Sequence, residues 1–69
     1  MQKWEYLYVT KYSANNQWRP FTLNGAEIRD WKKGPSIYEF FNRLGDEGWE
    51  MFAVDTTGYG SYYFKRPKV

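Results

Sequence analysis

Between residues 36 and 49 the chain reads Ser36-Ile37-Tyr38-Glu39-Phe40-Phe41-Asn42-Arg43-Leu44-Gly45-Asp46-Glu47-Gly48-Trp49. Ile37, Phe40, Phe41 and Leu44 recur at helical spacing and form one apolar stripe. Ser36 and Glu39 have the spacing of a capping box. The Ser36 hydroxyl would accept the Glu39 amide proton, and the Glu39 carboxylate would reach back to the Ser36 amide. Gly48 suits the left-handed position that ends a helix, with Trp49 packing back on the last turn. Gly45 falls inside the helix, where glycine is disfavoured, and close approach of the helix to a sheet would explain it. Lys32-Lys33-Gly34-Pro35 breaks the pattern before the helix.

The flanking segments read as strands. Lys3 to Tyr12 alternates Trp4, Tyr6, Tyr8 and Tyr12 on one face with Leu7 and Val9 on the other. Ser13-Ala14-Asn15-Asn16 is a turn by composition. Gln17 to Leu23 resumes a strand in which Pro20 cannot donate a ladder hydrogen bond, so it is expected at an edge or a bulge. Asn24-Gly25 suits a type I′ hairpin turn, with Ala26 to Trp31 as the return strand. After the helix, Glu50 to Asp55 is apolar on both faces and predicts a central strand. Thr56-Thr57-Gly58-Tyr59-Gly60 is a hairpin loop, and Ser61 to Arg66 is the last strand, stopped by Pro67. The expectation is one domain over residues 1–69 of α+β class: a single antiparallel sheet of four to five strands in the order β-β-β-α-β-β, with the helix on one face. Which face carries the helix is left open by the alternation.

Three segments carry a family resemblance. Trp4-Glu5-Tyr6, Leu44-Gly45-Asp46-Glu47-Gly48-Trp49-Glu50 and Phe64-Lys65-Arg66-Pro67 together resemble a small bacterial family, domain of unknown function 4177. Its members open on a Trp-Glu-Tyr strand, end their helix in Leu-Gly-x-Glu-Gly-Trp-Glu and close on Phe-Lys-Arg-Pro. Met51 and Phe52 stand where aliphatics are usual, and Trp18 to Lys33 is longer than in the shortest members. The resemblance spans nearly the whole chain and implies the fold. It implies no activity, so no catalytic residue is carried over.

Composition narrows the function. The 69 residues hold four Trp, seven Tyr and five Phe, with no Cys and no His. Disulfides and the common zinc sites are therefore excluded. A core this small yields only about 3–5 kcal/mol, so large core side chains or association must supplement it. The commonest acid–base group and the best nucleophile are missing. Asp46, Glu47 and Glu50 cluster at the helix end, but they lack calcium-loop spacing and read as solvated charge beside a turn. Gly58-Tyr59-Gly60 joins two strands and opens no helix, so it is a hairpin loop rather than a phosphate cradle. No catalytic residue, metal ligand or cofactor site is expected. The opening residues lack a signal-peptide pattern, no apolar run is long enough to span a bilayer, and neither end carries a lipidation signal. A cytoplasmic protein with no membrane insertion is the expectation.

The aromatic excess points to a non-catalytic interaction module. Its expected partner is itself, as a homo-oligomer with a dimer favoured, or a larger protein on which it docks as an accessory subunit. Trp18, Arg19, Trp31, Lys33, Tyr59, Tyr63 and Lys65 are the candidate interaction surface. Trp18 and Trp31 are expected to pair across the hairpin. The first-strand aromatics Trp4, Tyr6 and Tyr8, with Trp49, Phe52 and Phe64, read as core. The alternative is weak single-stranded nucleic-acid binding, with Trp and Tyr stacking on bases and Lys and Arg on phosphates. A net charge of only +2 weighs against it.

Overall fold

A computed structural model of the protein describes residues 1–69. Five strands run β1 Trp4–Ala14, β2 Gln17–Leu23, β3 Ala26–Glu27, β4 Glu50–Asp55 and β5 Ser61–Pro67, with one helix, α1 Ile37–Asp46, between β3 and β4. They form one antiparallel sheet in the order β3-β2-β1-β5-β4. This is the expected α+β fold with its β-β-β-α-β-β order.

Two tight turns fix the register of the first three strands. Asn15 and Asn16 both have positive φ, as do Asn24 and Gly25, the requirement of type I′ turns. Asn24 also anchors its turn to β1: its side-chain oxygen accepts from the Tyr8 amide at 2.9 Å and its own amide donates to the Tyr8 carbonyl at 2.7 Å. The β1–β2 register slips by one residue beside Pro20, so β2 carries a bulge there and is not an edge. The return strand is shorter than expected: β3 has two residues, and Trp31–Lys33 forms a 3-10 turn after Asp30 enters the left-handed region.

Helix α1 starts and stops largely as its sequence dictates. The Ser36 hydroxyl accepts from the Glu39 amide at 3.3 Å. The reciprocal half of the capping box is not made: the Ser36 hydroxyl meets the Glu39 carboxylate at 3.3 Å instead. At the other end the Trp49 amide donates to the Leu44 carbonyl at 2.9 Å and the Gly48 amide to the Gly45 carbonyl at 3.0 Å. This is the paired bonding of a Schellman motif, with Gly48 at φ 89°. Arg66 then ties the helix end to the sheet. It donates to the Glu47 carbonyl at 2.9 Å, pairs with Glu5 at 2.8 Å, and lies 4.3 Å from the centre of the Trp49 ring. A cation beside the exposed carbonyls of a helix C-terminus is favoured by the helix dipole.

The core lies between α1 and one sheet face. Val9, Ile37, Leu44 and Phe64 are buried together, with Leu7, Leu23, Phe40, Phe41, Trp49, Met51 and Tyr62 packed around them. Leu7 and Val9 therefore define the covered face of β1. Trp4, Tyr6 and Tyr8 are on the opposite face and are not core, a correction to the expectation from sequence; Trp49 and Phe64 pack where expected. Strand β4 is an edge strand and not a central one, because no chain lies beyond it. Met51 faces the core and Phe52, the next residue, faces away from it; the β4–β5 register slips between Met51 and Ala53, so that Ala53 pairs with Tyr63 on the side of Phe52.

Gly45 is not explained by close approach, since a Cβ there would meet nothing within 4 Å. Gly45→Ala is therefore expected to stabilise the protein by about 1 kcal/mol, the helix-propensity difference. Gly48→Ala, equally free of neighbours, is expected to destabilise it by about 1–2 kcal/mol, because its left-handed backbone opposes any Cβ. Urea midpoints that move in these opposite directions check both assignments.

Candidate interaction surface

The uncovered sheet face is built by strand alternation. Trp4, Tyr6 and Tyr8 project from β1, opposite Leu7 and Val9. Tyr63, paired with Tyr8, and Lys65, paired with Tyr6, project beside them from β5. Phe52 joins from the β4 bulge. The rings of Tyr6, Phe52, Tyr63 and Tyr8 form a connected row. Tyr8 stacks on Tyr63 at 5.1 Å, Tyr6 meets Phe52 edge-on at 5.9 Å, and Phe52 lies 6.5 Å from Tyr63. The Lys65 ammonium lies 4.7 Å from the Trp4 ring centre and 5.7 Å from that of Phe52. Trp4, Tyr6 and Phe52 remain 39, 62 and 48% exposed.

Cross-strand pairing also assigns the charges of this face. Glu50 sits opposite Lys65, Glu27 opposite Thr22, and Asp55 opposite Ser61. The Asp55 carboxylate accepts from the Thr57 amide at 2.9 Å. That backbone bond, seconded by the Thr57 side chain, holds the Asp55 carboxyl below its usual 3.8. The resulting contribution to stability is present above pH 3.8 and is lost as acid titrates the folded carboxylate. The single ion pair in the chain is Arg66–Glu5, so Lys65 and Glu50 are both unpaired.

A second aromatic group stands at the hairpin end. The Lys11 ammonium lies 4.3 Å from the centre of the Trp18 ring and 5.4 Å from that of Tyr62, and donates to the Tyr59 carbonyl at 2.5 Å. Trp18 and Tyr59 are 43 and 56% exposed, with ring centres 6.2 Å apart. Tyr12 lies 4.6 Å from Tyr59, and its hydroxyl, first by hydrogen bonding and then by charge, pushes the Tyr59 phenol above 10.0.

The seven candidate residues thus divide. Tyr63 and Lys65 belong to the open face, and Trp18 and Tyr59 to the hairpin end. Arg19 is structural: it donates to the carbonyls of Gly34 and Ala14 and pins the segment that leads to the helix. Trp31 is buried edge-on against Phe21 at 4.9 Å, with Tyr12 at 5.8 Å, so it neither pairs with Trp18 nor offers a surface. Lys33 is exposed and lines a shallow hollow with Glu27, Asp30, Trp31 and Lys32, apart from both groups. The sequence reading missed Trp4, Tyr6, Tyr8 and Phe52 as surface. The available signal was chemical: Leu7 and Val9 have no polar atom to keep hydrated, whereas the tyrosines opposite them do.

The largest hollow, about 370 Å³, is lined by Glu5, Glu47, Gly48, Arg66, Pro67 and Val69, where Arg66 is already committed to Glu5 and Glu47. No three acidic side chains come close enough to hold a metal ion. No helix is long and apolar enough to cross a membrane. Comparison with family models, curated proteins and solved structures finds no match. What the geometry defines is an α+β protein whose sheet is covered on one face and aromatic on the other.

The Tyr12–Tyr59 contact is open to titration. A raised phenol favours the neutral form in the fold, so its contribution is present below pH 10.0 and is lost as pH rises through the folded value. Tyr12→Phe is expected to bring the Tyr59 phenol back toward 10.0 in an ultraviolet titration. An unchanged titration would place the cause elsewhere.

Proposed function

We propose that the protein is a non-catalytic interaction module that binds protein through its open aromatic sheet face. The observation that carries this reading is deficient burial. Only seven of the 69 residues are buried. The chain exposes 5160 Å², whereas a monomer of 8.4 kDa exposes about 4,600 Å². Among the exposed apolar side chains are the neighbouring rings Trp4, Tyr6 and Phe52, of the type enriched at the centres of protein interfaces. The resemblance to the small bacterial family is compatible with this role and adds no activity to it. The charges of the face give a phosphate chain little to hold: Lys65 is the cation beside the Trp4 and Phe52 rings, and Glu50 sits opposite it.

Native mass spectrometry of the protein captured gently from its own cells tests this. A complex heavier than 8.4 kDa is expected, stable to raised salt and lost in a Tyr6→Lys, Phe52→Lys double variant that keeps its circular dichroism. A bare monomer, or a complex indifferent to the double substitution, would contradict it.

A further inference from the structure

Resting on that reading, we infer that the partner is a second copy of the chain, docked face to face about a two-fold axis beside Lys65 and Glu50. Three observations lead there. First, the neighbouring pair Lys65 and Glu50 is self-complementary in charge. Lys65 and Glu50 are cross-strand neighbours, and neither forms an ion pair within its own chain. A two-fold axis near them sets Lys65 of one copy against Glu50 of the other, and the symmetric contact forms at the same time. A different protein would have to supply its own anion and cation at matching spacing; a second copy already has both.

Second, the rings next to that axis are the right anchors. Trp4 and Phe52 hold the Lys65 ammonium between them, and Tyr6 adjoins Phe52. Two-fold docking brings Trp4, Tyr6 and Phe52 of both copies into one patch around the charges, with large rigid side chains at its centre. Third, the area is adequate. The whole chain exposes about 550 Å² more than expected for its mass, or about 1,100 Å² for two copies, the scale at which specific interfaces begin. An interface at the lower end of that range forms a dimer that responds to concentration.

Charge reversal tests the pairing. Beside the axis, Lys65→Glu leaves two anions on each copy, and Glu50→Lys two cations. Sedimentation analysis from micromolar to near-millimolar protein is expected to show wild-type dimers. Each single variant should dimerise at least about tenfold more weakly, because like charges then meet across the axis. An equimolar mixture of the two variants should recover dimers, since both opposite pairs re-form, and the Lys65→Glu, Glu50→Lys double variant should dimerise alone. Circular dichroism of every variant separates lost docking from lost folding. A wild-type chain that stays monomeric throughout would overturn the second copy as partner; the salt-stable complex from cells, with its Tyr6 and Phe52 dependence, would then still report on the face itself. A wild-type dimer insensitive to the single reversals, or reversals not rescued by mixing, would overturn the two-fold pairing.

Discussion

A single helix of ten residues cannot cover both faces of a five-stranded sheet. The stripe of Ile37 and Leu44 seats on Val9 and Phe64 and fixes which face is inside. Side chains alternate along a strand, so this one contact also decides which residues are left outside. Val9 inward means Tyr6 and Tyr8 outward; Phe64 inward means Tyr63 and Lys65 outward. The Schellman turn at Gly48 and the Arg66 clamp hold the helix at its place on the core.

The cost of that arrangement is a thin core. Four buried apolar residues form its centre, and the partly buried ring around them includes much of the remaining aliphatic content. The chain has no cysteine with which to staple itself. Aromatic packing outside the core offsets part of the deficit. Trp31, Phe21 and Tyr12 form a small satellite cluster, and Arg19 ties the adjoining segment to the first hairpin. Neither device covers Trp4, Tyr6 or Phe52. Burying those rings against another surface would stabilise the fold and the complex together, which links the stability of this chain to its binding.

Much of the fold was legible because local signals agreed with one another. The helical stripe, the serine cap, the Gly48 stop and the asparagine turns each follow from a few neighbouring residues. What was not legible depended on contacts distant in sequence. Alternation separated Trp4, Tyr6 and Tyr8 from Leu7 and Val9, but only the seated helix chooses between the two sets. The apolar run Met51-Phe52-Ala53-Val54 made an edge strand look central, although one of its faces is left uncovered. Trp31 left the expected return strand because Asp30 takes a left-handed conformation, which sends the chain into a 3-10 turn. Tyr63 and Lys65 were recognised as surface, whereas the rings that accompany them were assigned to the core. The candidate surface was thus half legible, and the missing half is the part that the helix position determines.

The most direct test is a dilution series followed by nuclear magnetic resonance of the aromatic side chains. If a second copy docks on the open face, the ring signals of Trp4, Tyr6 and Phe52 will shift together as the protein is diluted, while exposed Tyr38 on the helix stays fixed. Shifts confined to Trp18 and Tyr59, or spectra unchanged at every concentration, would contradict docking of a second copy on that face.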